Sequence, residues 1–500
     1  MGFPLVGETL QFLSPSTSSD VLPFVKDRMD RYGPIFKTSL VGQPVIVSAD
    51  CDLNHFVFLQ EGQLFRSWYP ETFTEVLGRQ NLSSLHDFLY KYLKYMVLSL
   101  FGPEGLKKML PDVERMACQR LQRWSIQETI ELNEATMSNE WLAKVSLQLI
   151  FDLTAEKLIS CEAGNASQNL RDNYAAFIQG LISFPLNIPG TAYHKCLQGR
   201  KNTMKMLKKL LNERRAAMPR KNRVDFFDFL LEELDKEGTT LTEAIALDLM
   251  FALLFASYET TSLAITMSVK FLSDHPLVLR KLREEHEAIL RNRENTDSGL
   301  TWQEYKSMTY TFQFINETVR LANIAPLIFR KALREIEVKG YTIPAGWAVM
   351  VIPPAVHLNP EKYQDPLTFN PSRWEQGESS KNFMAFGGGM RFCIGADFAK
   401  LQMAVFLHCL VGTDQRRKYG PNPGFTISRR LSHTANGENQ NGVAPALHLK
   451  MQQYRSLLAV LPAENRGTRE PNSTSITKLS ISMIVELNKS LLLDRRGNLE

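Results

Sequence analysis

One cysteine, Cys393, stands in the stretch Phe386-Gly-Gly-Gly-Met-Arg-Phe-Cys-Ile-Gly395, directly ahead of a segment with helical periodicity. A thiol at a helix N-terminus is set up to ionise. The helix dipole presents partial positive charge there, and Arg391 adds a full one two residues away. The surrounding glycines let the backbone approach a flat ligand closely and leave amide N–H groups free to face the sulfur. A buried structural thiol is the competing reading for any cysteine, and it does not explain the glycines. A second feature is Ser257-Tyr-Glu259-Thr260-Thr261-Ser, which interrupts the apolar flanks Leu249–Ala256 and Leu263–Met267. Carboxylate and hydroxyl groups in the middle of an apolar helix are costly unless they act. Third, Glu317 and Arg320 form an i,i+3 pair on one helix face, a pattern so common that alone it carries little.

The elements that must position these groups are mostly helical. Arg31–Thr38 and Gln43–Ser48 read as a hairpin-like sheet segment. From about Glu75 to Arg223 apolar residues recur at three- and four-residue spacing, as in Leu142, Val145, Leu149 and Leu153. The run Phe184–Gly190 breaks this pattern with two prolines. Thr240-Leu-Thr-Glu243 reads as a capping box opening one long helix, Leu241–Asp274, with Ser273-Asp-His-Pro276 as its stop. Without an internal Gly or Pro, such a helix would measure roughly 50 Å at about 1.5 Å per residue. Further helices run to about Leu321. Strands follow around Ala332–Val338, Tyr341–Ile343 and Ala348–Ile352, then an irregular stretch Pro353–Phe386, then a last helix from about Ala396 to Val411. The fold class expected is mainly α with a minor β-sheet region.

Composition narrows the function classes. The 500 residues are 44% hydrophobic and 22% charged, which excludes collagen-like, fully disordered and disulfide-scaffold chains. A formal charge of +5 spread over this length is no nucleic-acid signature. The six cysteines lie far apart in sequence without a CxxC pair, which argues against a zinc ribbon and fits reduced thiols. The first residues lack the basic start and continuous apolar segment of a secretory signal. The most apolar run, Ile245–Ala256, contains Asp248 and falls short of the about 20 residues needed to span a bilayer, so no membrane span is expected. Length alone would suggest about three domains, but the chemical residues are spread from Tyr90 to Cys393. The expected organisation is therefore one catalytic domain, 1–412, and a polar, poorly periodic tail, 413–500, expected to be largely disordered. Lys195–Arg223 carries eleven Lys and Arg against one acid, Glu213. It reads as a solvated helix face or, following the apolar run Phe184–Pro189, as a contact with an anionic membrane surface.

The complete pattern Phe386, Gly389, Arg391, Cys393, Gly395 resembles the haem-ligand loop of the cytochrome P-450 haem-thiolate monooxygenases. Other parts follow in chain order: Glu317 and Arg320 match the family's E-x-x-R, and Phe369-Asn-Pro-Ser-Arg373-Trp374 its F-x-P-x-R-[FW] element. Ala256, Glu259, Thr260 and Thr261 match [AG]-G-x-[DE]-T-[TS], with Ser257 where the family usually has Gly. The likeness runs from Pro4 to about Leu410 and is closest to the plant clade acting on sterols, brassinosteroids and triterpenoids.

The resemblance implies haem b held between the long helix and the cysteine-loop helix, with Cys393 as axial iron ligand. Thr260 is implied to hydrogen-bond dioxygen or its water, and Glu259 to feed protons. Arg330, Arg391, Tyr90 and Lys94 are implied to hold the haem propionates, the last two occupying the family's W-x-x-x-R positions with both residues changed. Glu317, Arg320 and Arg373 become a buried structural triad, and His357 a structural histidine. A mostly apolar pocket is implied from the loop before Tyr90, Asn173–Ile188, Met250–Ala256 and Ala325–Ile328. Electrons are implied to come from NADPH through a flavoprotein reductase, at the cytosolic face of the endoplasmic reticulum membrane, with no nucleic-acid partner. Members usually begin with a membrane anchor and a Pro-rich hinge, and this chain is expected to start just after both. Members also end in a β-hairpin, which Gly412-Thr-Asp-Gln-Arg-Arg replaces. The expected function is hydroxylation of a sterol- or triterpenoid-like substrate. The rivals are a haem-thiolate isomerase or dehydratase, against which Thr260 counts, and a haem-binding variant impaired by its altered C-terminus.

Overall fold

Thr242 accepts the backbone N–H of Ile245 at 3.3 Å, so in this computed structural model the long helix starts at Glu243 and runs to Asp274. The expected cap at Thr240 is thus two residues early. Thr242 takes the role because only it stands three residues before the first free amide its hydroxyl reaches. The structure describes residues 7–12, 21–40, 42–80, 85–131, 139–161, 164–181, 183, 186–217, 225–293, 295, 298–375 and 381–412. The tail 413–500 lies outside them, as do Phe184-Pro185 and the last three cations of the basic segment. The chain divides into two units, 1–462 and 463–500, and every described residue falls in the first.

This central helix is long and apolar enough to cross a membrane by length and composition, more than the run Ile245–Ala256 suggested. Here it is a core element. It packs against the helices Asn139–Ile159, Ala192–Ala216, Thr309–Ala322 and Ala396–Val411. Aromatic rings fill one side: Tyr174 stacks on Phe251 at 5.2 Å and Phe177 meets Phe251 edge-on at 4.9 Å. Tyr174 also donates its hydroxyl to the Phe251 carbonyl at 3.0 Å, satisfying the polar end of a buried ring. The last helix, Ala396–Val411, is almost wholly buried, as expected of a helix apolar on every face.

The strands are β1 (Ile35–Leu40), β2 (Gln43–Ser48), β3 (Phe65–Ser67), β4 (Ile328–Ala332), β5 (Ile336–Val338), β6 (Tyr341–Ile343) and β7 (Ala348–Val351). They form a five-stranded sheet in the order β1-β2-β7-β4-β3 and a two-stranded sheet β5-β6. Only β2 and β7 pair in parallel. The expected strand at Ala332–Val338 is two strands broken at Leu333–Glu335, and the first begins earlier, at Ile328. That shift places Arg330 inside β4, opposite Ser67 of β3. The irregular stretch contains a short helix Pro353–His357 and a 3-10 turn Pro371–Trp374.

One contact is not foreseen by the sequence, and one sequence expectation changes. Cys118 and Cys409, 291 positions apart in the chain, bring their sulfurs to 2.7 Å in the core. The basic helix Ala192–Ala216 is not a uniformly solvated face. Arg214 is buried against Asp225 and Asp228 at 2.6 and 2.7 Å, and Arg200 pairs with Asp248 at 2.6 Å. Asp248 therefore serves the apolar central helix as the anchor for a neighbouring helix.

Candidate active site

Cys393 lies between the 3-10 turn Gly389–Arg391 and the N-terminus of the helix Ala396–Val411. Its backbone N–H donates to the Phe386 carbonyl at 3.0 Å, closing the loop on itself. The residue is exposed, yet protein surrounds the sulfur closely enough that burial pushes the thiol up, opposed by the Gly395 amide. Arg391 is not the counter-ion that the sequence suggested for the thiolate: its guanidinium turns to Glu61, Leu85 and His86.

The glycines divide into two kinds. A Cβ on Gly389 would sit 2.0 Å from the Phe58 carbonyl oxygen, with φ at +60°, and one on Gly388 would sit 2.6 Å from the Phe58 ring. These two glycines are therefore required by the close approach of the helix Cys51–Leu59. Gly395 has open space where its Cβ would be, so close approach of a ligand falls to that side. Phe386 is half-buried and packs against Phe383 and Phe392.

Behind the loop, Glu317, Arg320 and Arg373 come together. Glu317 accepts from Arg320 at 2.8 Å, Arg373 at 2.9 Å, the Trp374 indole at 3.1 Å and the Asn370 amide at 3.0 Å. Arg320 continues to the His357 carbonyl at 2.6 Å, and the His357 ring accepts the Met384 N–H at 3.0 Å. Hydrogen bonds thus connect the triad to Met384 at the foot of the cysteine loop. That acceptor role leaves Nδ1–H to face Asn323 Oδ1 at 3.2 Å. Burial, then Arg320, lowers the His357 pKa to about 3, so the ring is neutral.

On the central helix Ala256 and Thr260 are exposed and Ala252, Leu253 and Leu263 partly so, while Met250, Phe251, Leu254, Tyr258 and Thr261 are buried. One helical stripe is accessible, and only part of the expected lining Met250–Ala256 belongs to it. From Asn173–Ile188, Tyr174 and Phe177 are likewise core residues. Thr260 donates to the Ala256 carbonyl at 2.7 Å. Ser257 turns its hydroxyl to the Leu253 and Leu254 carbonyls at 2.9 and 3.2 Å, so the extra hydroxyl is absorbed by the helix. Glu259 is partly exposed beside Thr260.

On the sheet side, Arg330 and Arg391 meet at Glu61, with Nε to carboxylate distances of 2.8 and 2.9 Å. Tyr90 and Lys94 both donate to the Met390 carbonyl, at 3.0 and 2.6 Å, and Arg391 lies over the Tyr90 ring at 3.7 Å. Sequence reasoning missed Glu61. It stands in no motif, and its arginine partners are hundreds of residues away.

A thiol at a helix N-terminus, with open space beside Gly395 and buried guanidiniums nearby, is the donor set of a thiolate-ligated haem protein. The family model described as Cytochrome P450 matches residues 1–413. Cytochrome P450 87A3 of Oryza sativa subsp. japonica is 58% identical, covering 82% of this chain and 79% of that protein. The cucurbitadienol 11-hydroxylase of Siraitia grosvenorii is 40% identical over 86% of this chain and 89% of its own length. A retinoic acid-bound cyanobacterial CYP120A1 structure matches with a TM-score of 0.71, at 27% identity over 82% of this chain and 90% of that one. The chain belongs to the cytochrome P450 family. It is a mainly helical oxidoreductase of monooxygenase type whose cofactor is haem b.

Proposed function

We propose that the protein hydroxylates a lipophilic sterol- or triterpenoid-like substrate, with electrons from NADPH delivered by a flavoprotein reductase. The accessible stripe of the central helix carries the reading: Ala252, Leu253, Ala256 and Leu263 are apolar, Thr260 is exposed, and the hydroxyl of partly exposed Ser257 is turned into the helix. Such a wall suits a large apolar ligand with one polar point of action. The relatives' names support the same class, a beta-amyrin 16-alpha-hydroxylase of Maesa lanceolata being 41% identical over 82% of this chain and 85% of its own.

Bound haem supplies the activation of dioxygen, with Cys393 as the thiolate ligand that pushes electron density onto iron. The chain's residues do the rest. With its proton committed to the Ala256 carbonyl, the Thr260 oxygen accepts a hydrogen bond from water on the exposed side. Glu259, the next residue, offers a carboxylate through which protons are relayed along that water. Arg330, Arg391 and Lys94 secure the haem carboxylates, Tyr90 lies under Arg391 with its hydroxyl on the Met390 carbonyl, and Phe386, Gly389 and Gly395 shape the loop around Cys393. In this reading the catalytic domain is residues 1–412. Exposed Leu186 and Ile188, ahead of the cation-rich helix, meet the membrane surface, at the cytosolic face of the endoplasmic reticulum.

The test is turnover of the purified protein with reductase, NADPH and a panel of sterols and triterpenes, read by mass spectrometry. Gain of one oxygen atom on a panel member is the expected result. Haem-loaded, reducible protein that oxidises none of the panel would refute the substrate class.

A further inference from the structure

Cys118 and Cys409 are two buried thiols that the proposed chemistry does not use. Cys118 lies on the helix Pro103–Glu131 and Cys409 near the end of the helix Ala396–Val411, and these two helices pack together. Their sulfurs face each other at 2.7 Å. Cys409 also directs its S–H to the Glu114 carbonyl, 3.9 Å away and one turn ahead of Cys118 on the same helix. The Cys409 sulfur is thus seated against two successive turns of that helix. Cys51, by contrast, turns its thiol to the Lys381 carbonyl and to Asn382, at 3.4 and 3.2 Å. A disulfide forms without backbone movement only between cysteines that packing has already brought together. Here the fold does so across 291 positions of the chain.

We propose that Cys118 and Cys409 are a site of reversible oxidation, at which hydrogen peroxide joins them in a disulfide that staples the helix following Cys393 to the helix Pro103–Glu131. The peroxide is the two-electron acceptor. One thiol, as its thiolate, attacks the O–O bond, which breaks to give a sulfenic acid and, with the thiol's proton, one water. The second thiol then displaces the sulfenic hydroxyl, which leaves with that thiol's proton as a second water while the S–S bond forms. Contact decides the product: the second thiol is already in place, so it captures the sulfenic acid before further peroxide carries it to sulfinic acid. Burial slows the first attack and keeps other thiols from competing in the second. In a reducing compartment such a bond is transient, because thiol reductants return it by exchange. Its effect follows from the chain it closes. Residues 118–409 include the central helix, the Glu317 cluster and Cys393, so the bond takes freedom from the unfolded chain and keeps the last helix docked.

The experiment exposes the holoenzyme to hydrogen peroxide and, in parallel, to diamide, whose azo bond takes up two electrons and two protons from a thiol pair without peroxide chemistry at the haem. Each sample is unfolded in the presence of an alkylating agent, digested and read by mass spectrometry. The expected product is a peptide pair joined at Cys118 and Cys409, lighter by two hydrogens than its parts and separated by dithiothreitol. Urea midpoints are read by far-ultraviolet circular dichroism for the oxidised and re-reduced protein and for Cys118→Ser and Cys409→Ser. The oxidised protein should unfold at higher urea, dithiothreitol should restore the starting midpoint, and neither variant should respond. Full alkylation of Cys118 and Cys409 after both oxidants overturns the proposal, and so does sulfinic acid at either without a cross-link. A cross-link that leaves the midpoint unchanged, or a shift that persists in the serine variants, overturns the staple. Should a serine variant fail to fold, the peptide map and the re-reduced midpoint of the unsubstituted protein decide.

Discussion

Glu317 holds Arg320 through both carboxylate oxygens at 2.8 Å, and neither side chain has any exposure to solvent. The pair is a junction more than a local contact. Arg373 and Trp374 close on it from the irregular stretch, and Arg320 reaches on to the His357 carbonyl. Glu317→Ala leaves a fully buried guanidinium without its carboxylate, which should cost about 3–5 kcal/mol. Arg373→Ala should cost less, because Glu317 keeps Arg320 and two neutral donors. Urea denaturation of the two haem-loaded variants measures the difference; equal costs would contradict the junction.

Within the cysteine loop, Gly389 is the glycine held in place by backbone on both counts. Its positive φ and the 2.0 Å approach of a Cβ to the Phe58 carbonyl mean Gly389→Ala must displace backbone. The variant should show a lowered denaturation midpoint and reduced haem content. Gly395→Ala, with open space at its Cβ position, should fold normally. Equal folded stability in the two would sink the distinction.

Three buried histidines give stability an acid limit. Burial lowers His286 and His357 to about 3 and His408 to about 4, against 6.5 when unfolded. Below pH 6.5 the unfolded chain takes up protons that the folded chain refuses. The stability from these groups is full above that pH and falls toward pH 4, by about 1.4 kcal/mol per unit for each titrating histidine. His286 and His408 touch at 3.0 Å, so His408→Phe should flatten the slope between pH 6.5 and 4. Denaturant midpoints across that window check it; an unchanged slope refutes it.

Thr260→Ala removes the exposed hydroxyl-bearing residue of the accessible stripe of the central helix. NADPH consumption should continue while peroxide per NADPH rises several-fold and product falls. Unchanged coupling would remove Thr260 from proton handling.

Cys393→Ser should bind haem weakly and lose the thiolate-type Soret band of the reduced carbon monoxide complex. An imidazole-type band in the unsubstituted protein would exclude Cys393 as the ligand.

What could be read locally was read well. The helix Ala396–Val411, the hairpin of β1 and β2 and the three-residue spacing of Glu317 and Arg320 follow from neighbours a few residues apart. Boundaries set by competition between nearby groups were less legible. Thr240 and Thr242 are both good caps in sequence, and the choice depends on which amide comes within reach. The strand containing Arg330 began earlier than its composition suggested because β3 and β7 pair with it there.

By itself the sequence determined the family and singled out Cys393 and the polar residues of the central helix, because each is written in a contiguous motif. Tertiary structure alone decided the partners. Glu61 meets Arg391 across 330 positions, Cys118 meets Cys409 across 291, and Gly388 and Gly389 are glycines for the sake of Phe58. The physical reason is that a buried charge or a close backbone approach is satisfied by whatever packing brings near. Local spacing holds no record of which residue that is.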